Sequence, residues 1–424
     1  MTTDPYNLSK PVNVAMLSLH SSPVGALGTK DTGGMSTYVL ETARQLVKKG
    51  CAVDIFTRKT GPESPAVLPL GPGIRLVHLT AGAHRPIPKT ALVDLKNDFM
   101  SAFHEFRKKS PVAYDLIHSH YWLSGLVGRP LSEKMQVPHC ITFHTLAKFK
   151  NNTGDGDPEP AVRIDHETRL IHGCSRVIVG TQEEKTAAVR HYKAAPERVG
   201  VVPGGVDLDR FRIIPGNQAR NLLGIPPSSW VILYAGRFDP LKGIDTIIES
   251  IGSLVYDCPL RRPVILLLVG GDGEGRENER LKAAADKAGV REHVRFTGRA
   301  DHADMPLYYN AADVLVTASS YESFGLVGLE ALACGTPVVS TPAGGMPCVI
   351  HQGRNGYVTG KRSAIELADA LAHVLEGKGN GYFNARGIRD TVRSFTWSKT
   401  TEKLLREYRF AGMEVWNQLS GVDQ

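Results

Sequence analysis

Two glutamates, Glu322 and Glu330, stand eight residues apart in the run Tyr321-Glu-Ser-Phe-Gly-Leu-Val-Gly-Leu-Glu330. Gly325, between them, permits close backbone approach. An apolar strand, Ala312 to Thr317, precedes the pair. Small apolar residues from Gly328 to Ala333 read as a buried helix, which stops at Gly335-Thr-Pro337. Eight residues make just over two helical turns, so one carboxylate on the loop and one on the helix can touch different parts of an extended ligand. Unpaired amides at the helix start suit an anion. Carboxylates for sugar hydroxyls beside amides for phosphate suggest a nucleotide-sugar. The plain alternative is an ordinary strand–helix unit with two surface glutamates.

Arg237 and Lys242 lie just past another strand, five residues apart. Taken alone they are two solvated cations. Facing the glutamates across one cleft, the arginine would grip two diphosphate oxygens and the lysine would act as a point charge. Charge growing on a leaving phosphate would then meet groups already in place. No metal and no cofactor is required for that chemistry, and no DxD-like motif stands in a suitable loop. Asp272-Gly-Glu274 is the nearest acidic cluster and reads as a loop.

The elements that must position these groups come in two similar sets. Val12 to Leu19 is a buried strand, and Gly33-Gly34 opens a helix from Ser36 to Lys49. Val53 to Thr57 is the next strand. The glycine pair would let a diphosphate sit on the backbone, or simply make a tight turn. The pattern is not GxGxxG, so NAD is not expected. Ile74 to His78 is a strand, Thr80 to Thr90 a loop holding Lys89, and Leu92 to Lys108 a helix. Asp115 to His120 and Cys140 to Thr145 are strands ending in histidine, followed by Tyr121 and Thr145. Polar residues at the carboxyl ends of parallel strands belong where such sheets bind ligands. Lys148 to Pro160 reads as a mobile loop and Ala161 to His172 as a helix carrying Arg163. Strand and helix then alternate through Val231–Arg237, Ile244–Tyr256, Val264–Gly271, Arg280–Ala288 and Val294–Arg299 up to the glutamate motif.

The expected fold class is α/β: two Rossmann-like doubly wound parallel-sheet domains facing across a cleft. Residues 1–211 form the acceptor-binding domain and 212–395 the nucleotide-sugar-binding domain. Residues 396–424 are a C-terminal helix packing back on the first. A chain of 424 residues exceeds what one core usually supports. Net charge is +7, yet there is no Lys/Arg-rich block or nucleic-acid motif, so nucleic acid is not expected. No apolar run reaches the ~18 residues of a membrane span, and Met1 to Lys10 forms no signal peptide. The six cysteines show no CxxC spacing and read as buried thiols of a cytoplasmic protein. A homodimer is compatible with the sequence.

The motif around Glu322 resembles the C-terminal signature of the retaining glycosyltransferases of family 4: two glutamates separated by seven residues, with Phe-Gly after the first. The resemblance runs from Gly33-Gly34 to Trp397 and implies the GT-B arrangement and transfer with retention of the donor's anomeric configuration. It implies that Glu322 holds donor-sugar hydroxyls, that the amides of Phe324, Gly325 and Leu326 serve sugar and diphosphate, and that Glu330 binds the ribose. Arg237 and Lys242, with His144, join Glu322 as catalytic residues. Gly33, Gly34 and Arg299 join the donor side. The co-substrate is then a UDP-sugar. Gly-Gly-Met, His118-Ser-His-Tyr-Trp-Leu-Ser-Gly125, His144-Thr-Leu-Ala-Lys148, Pro158-Glu-Pro160 and Val206-Asp-Leu-Asp209 are similar to the branch making the glucosaminyl-inositol precursor of mycothiol. Asp31-Thr-Gly-Gly is similar to the sucrose-phosphate synthases. Both branches use phosphorylated acceptors. The matching phosphate-holding positions are Lys89, Tyr121, Thr145 and Arg163. Ser36 stands where the mycothiol branch usually has Asn, which leaves inositol phosphate and fructose 6-phosphate both open as acceptors. A phosphorylase- or epimerase-like enzyme and a non-catalytic nucleotide-sugar-binding protein are the rival readings.

Overall fold

The computed structural model describes residues 12–25, 33–110, 112–154, 156–257, 260–271 and 275–420, with side chains to 412. Met1 to Lys10, Asp31, Cys258 and Asp272-Gly-Glu274 lie outside the described residues.

The first sheet contains β1 (Asn13–Leu17), β2 (Ala52–Arg58), β3 (Val67–Gly71), β4 (Ile74–Leu79), β5 (Leu116–His120), β6 (His139–Thr142), β7 (Arg176–Val179) and β8 (Val199–Val201). Its order is β3-β4-β2-β1-β5-β6-β7-β8, and only the β3–β4 pair is antiparallel. The second sheet contains β9 (Trp230–Ala235), β10 (Val264–Val269), β11 (Val294–Gly298), β12 (Val314–Thr317), β13 (Val338–Ser340) and β14 (Gly356–Val358). It is parallel throughout, in the order β11-β10-β9-β12-β13-β14. β9 is buried along its whole length, as a strand covered on both faces must be. In each sheet the winding reverses beside the first strand, between β1 and β5 and between β9 and β12. Ligands of open α/β sheets bind outside the carboxyl ends at such a reversal. His20, Tyr121, Arg237 and Glu322 all follow these strands. The fold class read from the sequence is therefore the fold observed.

One local expectation is corrected, and three further elements appear. Residues 122–135 form a helix that the sequence disguised with Gly125, Gly128 and Pro130. Both glycines are packing requirements. An added Cβ at Gly128 would lie 2.1 Å from Ser119 Oγ, and one at Gly125 would lie 2.6 Å from Ile141 Cδ1. The stretch 148–160, expected as a mobile loop, begins inside a short helix, Ala147–Asn151. Lys150 then ties it down by an ion pair to Glu159 at 2.6 Å. β3 is a half-exposed edge strand with little apolar patterning to announce it. Residues 212–229 hold a helix, Gly216–Leu222, whose Arg220 pairs with buried Asp313 at 2.6 Å at the foot of β12. It belongs to the second unit.

The C-terminal helix, Trp397–Ser420, leaves the second unit and places Leu404, Leu405, Tyr408 and Ala411 in one cluster with Val14, Val39, Leu46 and Ile178. The return crossing runs beside the outward one: the Val206 amide donates to the Phe395 carbonyl at 2.8 Å. Cys51, Cys140, Cys174 and Cys334 are buried free thiols, and Cys348 is exposed. Among the described residues no helix is long and apolar enough to cross a membrane.

Candidate active site

Lys242 ends a single 3-10 turn, Pro240–Lys242, that Asp239 caps by accepting from the Leu241 amide at 3.0 Å. Gly243 then turns left-handed at φ 62°. A side chain there would strike the Ala318 carbonyl, its Cβ only 2.3 Å away. The turn is thus pressed against the loop after β12, and Lys242 Nζ donates to Glu322 Oε2 at 2.5 Å. Arg237 is exposed at the end of β9, its carbonyl fixed by the buried Tyr234 hydroxyl at 2.7 Å. Burial raises the Tyr234 pKa, with Glu322 adding to the effect and Arg237 opposing it. Arg237, Lys242 and Glu322 therefore share one corner of the cleft.

The helix Leu326–Ala333 starts at Gly325, held at φ 94°. Its first residue faces the other unit: Leu326 Cδ1 lies 3.8 Å from where Gly34 would carry a Cβ. Gly33 caps the helix Gly34–Lys48. Two helix starts, from the two units, thus approach one another, and both bring unpaired amides and positive dipole ends to the same gap. Glu330 is 6% exposed, and both its oxygens are engaged. His302 Nε2 donates to one and the Tyr309 hydroxyl to the other, each at 2.7 Å. Burial works against the His302 imidazolium, but the Glu330 carboxylate outweighs it and raises the pKa. Arg210, 3.0 Å from Nδ1, pulls the other way. Arg299 stands exposed just past β11, two strands from β9, its Nε donating to the Gly271 carbonyl at 3.1 Å.

Across the cleft the three strand ends β1, β5 and β6 carry His20, Tyr121 and His144. Tyr121 (φ 74°, ψ 156°) and His144 (φ 59°) both occupy backbone regions that side chains avoid. Strain of this kind persists where the surroundings over-determine it, commonly at a site. His120 Nδ1 and His144 Nε2 share a hydrogen bond at 3.0 Å, with the rings stacked at 5.2 Å. Burial pushes the His144 pKa down to about 3, so at neutral pH this imidazole is uncharged and serves as a hydrogen-bonding group.

Tyr121, Thr145 and Arg163 converge. The Arg163 guanidinium lies 4.9 Å from the Tyr121 ring centroid and donates to the Thr145 carbonyl and hydroxyl, both at 2.8 Å. It also pairs with Glu159 at 2.8 Å and Glu167 at 2.7 Å and is 2% exposed. Arg163 is thus a buried strut. Lys89, half-buried at the start of the turn Lys89–Leu92, joins the group through His20. The His20 ring is 4.5 Å from Tyr121. Its pKa is depressed first by burial and then by Lys89, His144 and Arg163. His20 is the hub of this half-site, and the sequence reading passed over it. The signal is a histidine just after an apolar run, Val12 to Leu19, as His144 follows Cys140 to Phe143. Among the described residues, the buried His20 Nδ1, Tyr38 hydroxyl and His120 Nε2 have no hydrogen-bond partner. Buried polar atoms left open beside a cleft are what an incoming ligand satisfies.

Residues 32–210 match the model of Glycosyltransferase Family 4, and residues 217–386 match Glycosyl transferases group 1. A D-inositol 3-phosphate glycosyltransferase from Saccharomonospora viridis is 40% identical over 414 residues, covering 95% of this chain and 94% of that protein. This chain belongs to glycosyltransferase family 4. It is a glycosyltransferase, as the motif around Glu322 implied. A protein of the same description from Actinosynnema mirum is 39% identical over 93% of this chain and 96% of its own length. Among solved structures, a sucrose-phosphate synthase from Thermosynechococcus elongatus matches with a TM-score of 0.85 at 31% identity, over 94% of this chain and 98% of the other. HepE from Anabaena, solved with UDP and glucose, shares the fold at a TM-score of 0.72 and 21% identity, over 93% and 98% of the two chains. The two-unit arrangement is the GT-B fold of these glycosyltransferases.

Proposed function

We propose that this glycosyltransferase moves a hexose, glucose or N-acetylglucosamine, from a UDP-sugar to a hydroxyl of a small phosphorylated acceptor, with inositol phosphate the first candidate. The observation that carries this reading is the contact of Arg163 with Tyr121 and Thr145, with His20 against the Tyr121 ring and the Lys89 charge felt at His20. A cation, a hydroxyl and a phenol over a buried guanidinium suit a phosphate dianion. Relatives named for D-inositol 3-phosphate support that acceptor.

On the donor side the diphosphate lies between the starts of the helices Gly34–Lys48 and Leu326–Ala333, with Arg237 and Lys242 on its oxygens. Glu322 takes sugar hydroxyls, and Glu330 the ribose through the lone pairs that His302 and Tyr309 leave open. The anomeric carbon–oxygen bond to the β-phosphate breaks. The acceptor oxygen bonds to the same face of that carbon, and its proton passes to the departing phosphate. The configuration is retained, and no side chain needs to act as nucleophile. Arg237 and Lys242 stabilise the charge gained by the leaving group, and neutral His144 offers a hydrogen bond to the sugar.

Transfer to fructose 6-phosphate is the second reading, supported by the likeness to a sucrose-phosphate synthase. A UDP-release assay separates the two, with UDP-glucose and UDP-N-acetylglucosamine each offered to inositol phosphate and to fructose 6-phosphate. Release dependent on inositol phosphate is expected. Release dependent on fructose 6-phosphate alone moves the assignment to the second reading, and release with neither contradicts both.

A further inference from the structure

Tyr321 immediately precedes Glu322, yet its side chain enters the other unit. It is 7% exposed. Its hydroxyl accepts from the Leu146 amide at 3.1 Å and donates to Glu184 Oε1 at 3.2 Å. Its ring meets Phe149 edge-on at 5.4 Å. Glu184 is firmly seated. Its other oxygen accepts from the Gly180 amide at 2.8 Å, and its own amide donates to the capping Thr181 hydroxyl at 3.0 Å. Leu146 follows Thr145, which binds Arg163, and the next amide, Ala147, donates to Glu167 at 2.9 Å. One hydroxyl therefore stands one residue from Glu322 on the donor side and one residue from Thr145 on the acceptor side.

The backbone around this contact is built for close approach. A Cβ added at Gly180 would lie 3.2 Å from the Ser323 carbonyl. One added at Gly204 would lie 2.7 Å from Leu326 Cδ2 and 2.8 Å from Phe324 Cδ1. The loop from Tyr321 to Leu326 thus rests on the first unit along its length, and Tyr321 is its only side chain with hydrogen bonds into that unit among the described residues.

We infer that Tyr321 is a positioning residue that sets the distance between the donor carboxylate Glu322 and the acceptor cradle at Thr145. It touches neither substrate and acts through the two neighbours. The inference rests on the donor and acceptor sides assigned above. Removing the hydroxyl leaves a buried amide and a buried carboxylate oxygen without their partner, while the ring and its packing stay. The donor pocket within the second unit is untouched, so UDP binding alone should survive. Turnover needs both halves in register, so it should not.

The test is Tyr321→Phe, read three ways. Hydrogen exchange of the Leu146 amide in the unliganded protein should accelerate at least about tenfold, with β9 and β10 unchanged. With a UDP-sugar and inositol phosphate, kcat should fall about tenfold to a hundredfold. The Kd of UDP alone, by calorimetry, should stay within about twofold. Should Tyr321→Phe fail to fold, Gly180→Ala presses on the same loop through the Ser323 carbonyl and should give the same split between kcat and UDP affinity. Unchanged kcat, with or without faster Leu146 exchange, overturns the proposal. So does a UDP Kd that weakens in step with kcat, which would make Tyr321 part of the donor pocket. If wild type turns over neither acceptor, the substrate reading fails on its own, and UDP-induced protection of Leu146 decides. Protection in wild type that Tyr321→Phe abolishes supports the inference, and protection equal in both, or absent from wild type, overturns it.

Discussion

The two walls of the cleft are built on opposite plans. On the proposed donor wall Arg237, Lys242 and Glu322 sit on short turns just past strand ends, each at least partly open to solvent. The ion pair between Lys242 and Glu322 joins side chains 20% and 25% exposed. On the proposed acceptor wall Arg163 and Glu167 are buried almost completely, and Arg163 makes four polar contacts, to Glu159, Glu167 and twice to Thr145. The donor wall is chemistry on a stable frame. The acceptor wall is itself part of the frame, so stability and binding should respond together there and separately across the cleft.

The sharpest break in that comparison is Arg163→Ala. It strands the Glu167 carboxylate, which is fully buried and keeps only the Tyr192 hydroxyl and the Ala147 amide. Removing one partner of a buried ion pair costs about 3–5 kcal/mol. Urea denaturation should register a loss of that size, and a change below about 1 kcal/mol would make Arg163 an ordinary surface cation after all.

Arg237→Ala and Lys242→Ala should do the reverse. Each should lower kcat about a hundredfold, the scale for removing one charge-stabilising donor. Stability should move far less than in Arg163→Ala, because both side chains are partly open to solvent and such pairs contribute little. Near-normal turnover in both variants would remove them from the mechanism.

A third contrast lies where the walls meet. Burial pushes the Glu184 pKa up to about 7, with Glu183 adding to the rise and the Gly180 amide, Tyr321 and the Thr181 backbone opposing it. An acid with a raised folded pKa holds its proton when the unfolded chain has lost it. Its contribution to stability is full below the unfolded value of about 4.3 and is lost as the pH rises through 7. Glu184→Gln does not titrate. Relative to wild type it should gain on the order of 3 kcal/mol between pH 4.5 and 7.5 in denaturation experiments. A difference that does not change with pH would mean that Glu184 is ionised in the folded protein throughout.

The sequence disclosed the two walls unequally, for the same physical reason. The donor wall is local: Phe324, Gly325 and both glutamates fall within one strand–loop–helix, and spacing alone places them. Arg237 and Lys242 sit one turn apart after the next strand over. The acceptor wall is assembled from 89, 121, 145 and 163, which no periodicity links, and only the likeness to known enzymes brought them together. His302 and Tyr309 were invisible because nothing local relates them to Glu330. The helix over 122–135 was hidden because its glycines answer to Ser119 and Ile141 on the sheet below, not to helix propensity. Strand ends in histidine were legible, and applying that signal to His20 would have found the hub of the acceptor wall.

The central claim is that the first domain reads the phosphate of the acceptor while the second holds the donor. Lys89 is the residue to ask, since it is half-buried where Arg163 is enclosed. The measurement is a cycle: wild type and Lys89→Ala, each with inositol phosphate and with inositol, at saturating UDP-sugar. The account predicts that Lys89→Ala raises the KM for inositol phosphate about tenfold to a hundredfold, as loss of a charge-assisted contact should. The donor KM should stay within about twofold, and turnover of the unphosphorylated acceptor, already poor, should barely change. An equal penalty on both acceptors would contradict the claim, because the lysine would then not be reading the phosphate.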